Sequence, residues 1–185
     1  MTDRERIEAA IPLMNTEERM KGLPPILDAT CGARMMWFDK HNPLALFVDK
    51  RTLPPTELCD GRIFEVSPDM EVDFTAMPFR DNSFSLVVFD PPHLMRAGDD
   101  AYMTIKYGRL PRDWRDELRR GFSECMRVLR PQGTLIFKWN ETQITTGEII
   151  KVIGVKPLFG HKSGQREKTH WMTFMKLPDA MRTVK

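Results

Sequence analysis

The stretch Ser85–His93, SLVVFDPPH, decides how the chain is read. An apolar run, Leu86-Val87-Val88-Phe89, ends in an acid, two prolines and a histidine. Consecutive apolar residues predict a strand buried on both faces, as in a parallel sheet. Proline is disfavoured within a central strand, so the strand ends at Asp90. One reading is a rigid turn with a cap-like Asp90. The other is a site. The Asp90 carboxylate and the Pro91 carbonyl form a stiff acceptor pair that matches the two hydrogens of an exocyclic amino group. Holding that group in place lowers the entropic barrier to reaction. His93 is then placed to stack on the ring that bears the amine.

The pattern recurs on either side. ILDAT (26–30) and ALFVDK (45–50) are short apolar runs that end in Asp28 and Asp49. MEVDFT (70–75) is weaker and carries Asp73, GTLIFKW (133–139) is another strand, and KTHWMTFMK (168–176) is a late one with VKPLFGH (155–161) as its hairpin partner. Between them, Trp114, Leu118, Phe122, Cys125 and Leu129 fall on one helical stripe, which RPQG (130–133) stops. Residues 3–14 read as a short amphipathic helix broken by GLPP (22–25). Residues 51–69, rich in turn formers, read as an irregular connection with a short strand at RIFEV. Strands alternating with helices predict an α/β doubly wound sheet, whose ligands sit at the carboxyl ends of the strands. Asp28, Asp49, Asp73 and Asp90 all fall near such ends.

Each acid has a chemical use there and a plainer alternative. Gly32, in DATCGAR (28–34), lets the backbone approach a nucleotide-like ligand, or it serves an ordinary strand-to-helix turn. Asp49 can accept from both hydroxyls of a ribose, or it is a solvated strand-end acid. Asp73 can accept from an adenine amino group with Met77 and Phe79 beside the ring, or those two side chains are core.

The bulk numbers exclude several classes. A chain of 185 residues can bury a sizeable core in one domain spanning 1–185. Net charge is +2, so affinity for nucleic acid must come from local clustering. Cys31, Cys59 and Cys125 form no C-x-x-C pair, which predicts reduced thiols in a cytoplasmic protein. The four histidines show no metal spacing, so no metal is expected. No window reaches the roughly 20 apolar residues of a membrane span, and the charged N-terminus does not read as a signal peptide.

Together these residues resemble the class I S-adenosylmethionine-dependent methyltransferases, and within them the amino-methyltransferases of adenine and cytosine bases. LDATCGARM (27–35) is similar to that family's glycine-rich first motif through Asp28, Cys31 and Gly32. DPPH (90–93) resembles its D-P-P-[aromatic] catalytic motif, and VLRPQGTLIFK (128–138) its fifth-strand motif. The resemblance implies a Rossmann-like α/β fold, a mixed seven-stranded sheet with helices on both faces and an antiparallel late strand. It implies S-adenosylmethionine as cofactor, held by Asp28, Thr30, Cys31, Gly32, Arg34, Asp49, Lys50, Asp73, Phe74 and Asp90. Asp90, Pro91, Pro92 and His93 are the implied catalytic group. A phage or prophage setting goes with it.

Two positions depart from the family pattern. Arg34 stands where the second glycine would be, and His93 where an aromatic ring would be. No span is long enough for a separate target-recognition domain, which leaves two loops to bind the acceptor. One holds Tyr102, Lys106, Tyr107 and Arg109; the other holds Lys162, Arg166 and Lys168. Basic residues near aromatics suit a phosphate backbone and a flipped base, or they are solvated loops. The expectation is methyl transfer to adenine N6, with DNA favoured over RNA as partner. Rivals are the same chemistry on RNA adenine, cytosine N4 or a protein glutamine amide, and a catalytically silent binding module.

Overall fold

A computed structural model describes residues 22–58, 61–96, 102–162 and 168–178. Among the described residues the elements run in the order β1 (Ile26–Asp28), β2 (Ala45–Asp49), β3 (Leu53–Glu57), β4 (Ile63–Val66), β5 (Met70–Glu71), β6 (Phe84–Phe89), α1 (Tyr102–Tyr107), α2 (Trp114–Val128), β7 (Leu129–Asn140), α3 (Thr146–Ile153), β8 (Phe159–Lys162) and β9 (Thr169–Met175). Seven strands form one sheet in the order β5-β2-β1-β6-β7-β9-β8. β5, β2, β1, β6 and β7 pair in parallel; β9 runs antiparallel to both of its neighbours. The expected mixed seven-stranded sheet with a reversed late strand is therefore present.

The strand order reverses between β1 and β6. Connections leave those two strands in opposite directions, which opens a crevice at their carboxyl ends. Asp28 ends β1 and Asp90 follows β6, so both acids stand at that crevice.

Side-chain parity explains the apolar runs. In β2, Leu46 and Val48 join the main core, while Ala45 and Phe47 pack beneath Trp37 in a second cluster. Phe89, Phe137 and Phe174 stack across β6, β7 and β9 in the main core. Helix α2 lays Trp114, Leu118, Gly121, Phe122, Cys125 and Val128 against this layer. Gly121 is required there: a Cβ would stand 2.5 Å from the Phe74 ring. Helix α3 packs on α2 and is capped by the Thr145 hydroxyl, which accepts from the Glu148 amide.

The connection from β1 to β2 is built of turns, and its Trp37 covers Phe47 edge-on at 4.8 Å. Three expectations differ from the structure. Leu129 opens β7 where the stripe placed it on the helix, because the helix ends at Val128. Residues 51–69 hold a two-stranded hairpin, β3–β4, not one strand. Pro54 and Pro55 hid β3; a strand outside the main sheet, with a bulge between Leu53 and Thr56, tolerates them. The stretch read as the first substrate loop contains α1. The helix expected over residues 3–14 lies outside the described residues.

Candidate functional site

The turn after β1 is tied to both neighbouring strands. The Ala29 amide donates to Val88 O and the Cys31 amide to Val48 O. The Thr30 hydroxyl accepts from the Asp90 amide at 2.8 Å, which links the first motif directly to the last. Gly32 has φ +49°, a conformation glycine adopts without strain, and open space lies where a Cβ would point. Its amide donates to Asp49 Oδ2 at 2.9 Å. Asp49 Oδ1 accepts from the Arg51 amide at 2.9 Å. A carboxylate offers about four lone-pair positions, so Asp49 can fix the glycine turn and still accept from a ligand.

Asp28 is fully buried beneath this turn. The Trp37 indole donates to Oδ2 at 2.7 Å and the Thr30 amide to Oδ1 at 3.3 Å. Burial pushes its carboxyl up to about 7, and the nearby Asp90 and Asp49 charges add to that against the two donors. Burial likewise pushes the Cys31 thiol up, which leaves it a packing residue and not a nucleophile.

Asp73 lies outside the cleft lining: its Oδ1 accepts from the amide and hydroxyl of Thr75, and Lys50, which does line the cleft, lies 3.1 Å from Oδ2. Burial opposes the charge on Asp73, but these donors outweigh it and hold the carboxyl below its usual value. Lys50 also reaches Glu117 of α2 at 3.6 Å. Phe74 faces the cleft; Met77 and Phe79, the rings and chains weighed against adenine contact, are core.

Asp90 Oδ2 accepts from Lys138 Nζ at 2.6 Å. Burial raises the Asp90 carboxyl above its ordinary value, and Lys138 partly offsets this. Pro91 and His93 are buried, while Pro92 faces the cleft. The His93 ring is 8% exposed, packed between Tyr107 at 5.4 Å and Trp139 at 6.3 Å. Burial and the Lys138 charge lower it to about 4, so it is neutral in ordinary buffers. The structure thus sets His93 behind Tyr107, away from the ligand surface it was expected to offer.

One cleft of about 690 Å³, within the range of small-molecule sites, lies here; Asp28, Asp73, Pro91 and His93 of the expected set do not line it. It gathers Thr30, Cys31, Gly32, Asp49, Lys50, Phe74, Asp90, Lys106 and Tyr107 from the expected set. Arg34 is elsewhere. Its backbone keeps the left-handed φ of +53° that a glycine would take there. Its guanidinium donates to Asp69, Ser67 O and Lys40 O and lies 4.1 Å from the centre of the Phe47 ring. Arg34 clamps the turn from outside and borders a second cavity of about 630 Å³ beside the β3–β4 hairpin. Lys168 is exposed and does not line the cleft. Tyr102 and Lys162 lie on α1 and β8, and the contacts of their side chains are outside the description, as is Arg166.

Sequence reading missed Lys138, Glu117, Arg51 and Trp171, all of which line the cleft. Lys138 had a signal: it is a cation set between the apolar residues of IFKW, on a strand next to the one that ends in Asp90. Among the described residues no group of three or more side chains could hold a metal, and no helix is long and apolar enough to cross a membrane.

Several solved structures resemble the chain in fold. The PH0226 protein of Pyrococcus horikoshii OT3 matches with a TM-score of 0.50 at 15% identity, over 95% of this chain and 91% of that one. A TehB-like SAM-dependent methyltransferase of Corynebacterium glutamicum gives 0.49 at 17% identity, over 94% and 95%. The N-methyltransferase NodS of Bradyrhizobium japonicum WM9 gives 0.49 at 15%, over 95% and 97%. The fold is Rossmann-like α/β, with a mixed seven-stranded sheet. At these identities the likeness is one of fold alone, and function rests on the site. No family model matches the chain. No curated protein matches it.

Proposed function

We infer that the chain transfers a methyl group from S-adenosylmethionine to an exocyclic amino group, with adenine N6 in DNA the favoured acceptor. One observation carries this reading. The Asp90 carboxylate and the Gly32–Asp49 pair, at the carboxyl ends of β6, β1 and β2, face a single cleft across the strand-order switch.

The residues fit the cofactor. The open side of Gly32 admits close backbone approach, and Asp49 is placed for ribose hydroxyls. Phe74 offers an apolar surface for the adenine, and Asp73, which does not line the cleft, holds Lys50 at its rim. S-adenosylmethionine supplies an electrophilic methyl on a sulfonium. Asp90 accepts a hydrogen bond from the acceptor N–H and so points the nitrogen lone pair toward that methyl. Transfer would form the N–C bond as the sulfonium's C–S bond breaks with its electrons left on sulfur, releasing S-adenosylhomocysteine, and the nitrogen would shed a proton to solvent. Asp90 Oδ2 is held by Lys138; Oδ1 has no hydrogen bond among the described residues and is the oxygen available to the amine.

The cleft lining carries five Lys and Arg (Lys50, Arg51, Lys106, Arg109, Lys138) against three acids (Asp49, Asp90, Glu117). Lys50, Arg51 and Lys138 pair with Glu117, Asp49 and Asp90, and the preference for a nucleic-acid base rests on the likeness of DPPH to the D-P-P-[aromatic] motif. The test is mass spectrometry of nucleosides from DNA and RNA of cells expressing the wild type and Asp90→Ala. N6-methyladenine in DNA, absent with the variant, is the expected result. N4-methylcytosine, or methylation confined to RNA, moves the acceptor within the same chemistry. No methylated nucleoside in either polymer overturns the nucleic-acid assignment.

A further inference from the structure

Strand register sets up a row of three residues that the catalytic motif alone does not account for. Phe89 of β6 pairs with Phe137 of β7, so Asp90 and Lys138 are the next residues out on each strand. Lys138 in turn pairs directly with Trp171 of β9. Alternation places Phe89, Phe137 and Met172 in the core and turns Asp90, Lys138 and Trp171 to the opposite face. The contacts agree. Lys138 Nζ is 2.6 Å from Asp90 Oδ2 and 5.7 Å from the centre of the Trp171 ring.

Trp171 differs from the other tryptophans. Trp114 and Trp139 are fully buried and Trp37 is half-buried against Phe47, whereas Trp171 is 38% exposed. Its exposed surface lines the cleft that holds Asp90. Among the described residues the Lys138 ammonium is the ring's cation contact, and the rest of the indole, partly bare beside a carboxylate inside the cleft, is a stacking platform. The motif's own ring cannot serve, since His93 lies buried behind Tyr107.

We propose that Trp171 and Lys138 form the acceptor side of the cleft, Trp171 by stacking on a planar nitrogen heterocycle and Lys138 by aiming Asp90 at its exocyclic amine. This rests on the methyl-transfer reading and narrows its substrate class. A flat π-system gains from the indole face, and every base has one. A side-chain amide or an aliphatic amine has no comparable surface and is excluded as acceptor. Lys138 is a positioning residue. It occupies Oδ2, which fixes the carboxylate plane and leaves Oδ1 for the amine. Its ammonium, held toward the indole, makes the ring a site for a base over an anchored cation.

The test uses the full chain with a short single-stranded oligodeoxynucleotide bearing a central adenine, and a glutamine-containing tripeptide as the non-planar comparison. Binding is followed by quenching of tryptophan fluorescence, and turnover by methyl transfer to the oligonucleotide. Calorimetry with S-adenosylmethionine reports whether each variant keeps its fold and cleft. Trp171→Leu should abolish most of the quenching and weaken oligonucleotide binding on the order of tenfold or more. Its cofactor affinity should stay within about twofold of wild type, and Trp171→Phe should recover most of the loss. Lys138→Met should lower kcat far more than it raises KM, and Lys138→Arg should restore part of kcat. Unchanged oligonucleotide affinity in Trp171→Leu overturns the stacking role, and unchanged kcat in Lys138→Met overturns the positioning role. Tripeptide binding as tight as oligonucleotide binding overturns the substrate class. If the wild type binds cofactor and methylates the oligonucleotide while Trp171→Leu keeps wild-type KM, this inference alone fails. If the wild type binds no cofactor, the methyl-transfer reading fails and this one falls with it.

Discussion

Lys138 Nζ stands 2.6 Å from Asp90 Oδ2, so the acid that ends the central strand is half of a largely buried ion pair. Burial raises the Asp90 carboxyl and the ammonium partly offsets that rise. Removing the ammonium in Lys138→Met leaves burial unopposed, and the carboxyl should then titrate at higher pH than in the wild type. Asp90 must be ionised to accept from the amine, so the acid limb of the pH–rate profile should move upward. A carboxyl-selective NMR titration of the two proteins checks this. Identical Asp90 titrations would show that the pair does not exist in solution.

Asp28 makes stability depend on pH. Its folded value of about 7 lies above the model-peptide value near 3.9. A raised folded value means the folded state holds the proton more tightly than the unfolded one. The contribution is fully present below about pH 4 and is lost as pH rises through about 7. The span corresponds to at most about 4 kcal/mol. Asp28→Asn keeps an oxygen for the Trp37 indole and removes the titration. Thermal unfolding of the variant should therefore be flatter than wild type between about pH 4 and pH 7. Parallel curves would contradict the assignment.

His93, lowered to about 4 by burial and by Lys138, should remain a neutral imidazole across the working range. An NMR titration that finds it protonating near the ordinary value of about 6.5 would mean the ring is exposed to solvent and contradict its burial.

Gly121 is a packing requirement of α2. A Cβ at that position would stand 2.5 Å and 2.7 Å from ring carbons of Phe74 and 3.1 Å from Phe89. Gly121→Ala improves helix propensity yet should destabilise the protein by about 1–3 kcal/mol. It should also weaken cofactor binding, because Phe74 lines the cleft. Denaturant unfolding with and without S-adenosylmethionine separates the two effects. A variant as stable as wild type would contradict the packing.

How much was legible in the sequence follows from which signals are local. β1, β2 and β6 announced themselves because a strand buried on both faces must be apolar at every position, and an acid at its end stands out. Gly32 and Asp49 could be read for the same reason. β3 could not: two prolines argue against a strand, and only the pairing of Leu53 with Val66 across the hairpin shows that they are accommodated. Arg34 misled because residue type alone does not show where a long side chain turns; Asp69, 35 positions away, decides that. Lys138 and Trp171 meet through strand register between β7 and β9, which no local pattern encodes. His93 was read as stacking on the target ring because its burial depends on Tyr107 and Trp139 arriving from other elements.

Isothermal titration of S-adenosylmethionine into the wild type and Asp49→Ala tests the central claim most directly, because the Gly32–Asp49 contact is where the proposed function seats the cofactor. The wild type should bind one cofactor per chain. Asp49→Ala loses the acceptor of the Gly32 amide and the ribose contact, and its affinity should fall about tenfold or more, for roughly 1–3 kcal/mol. No binding heat with the wild type at any accessible concentration, or equal affinities for the two proteins, would contradict the account.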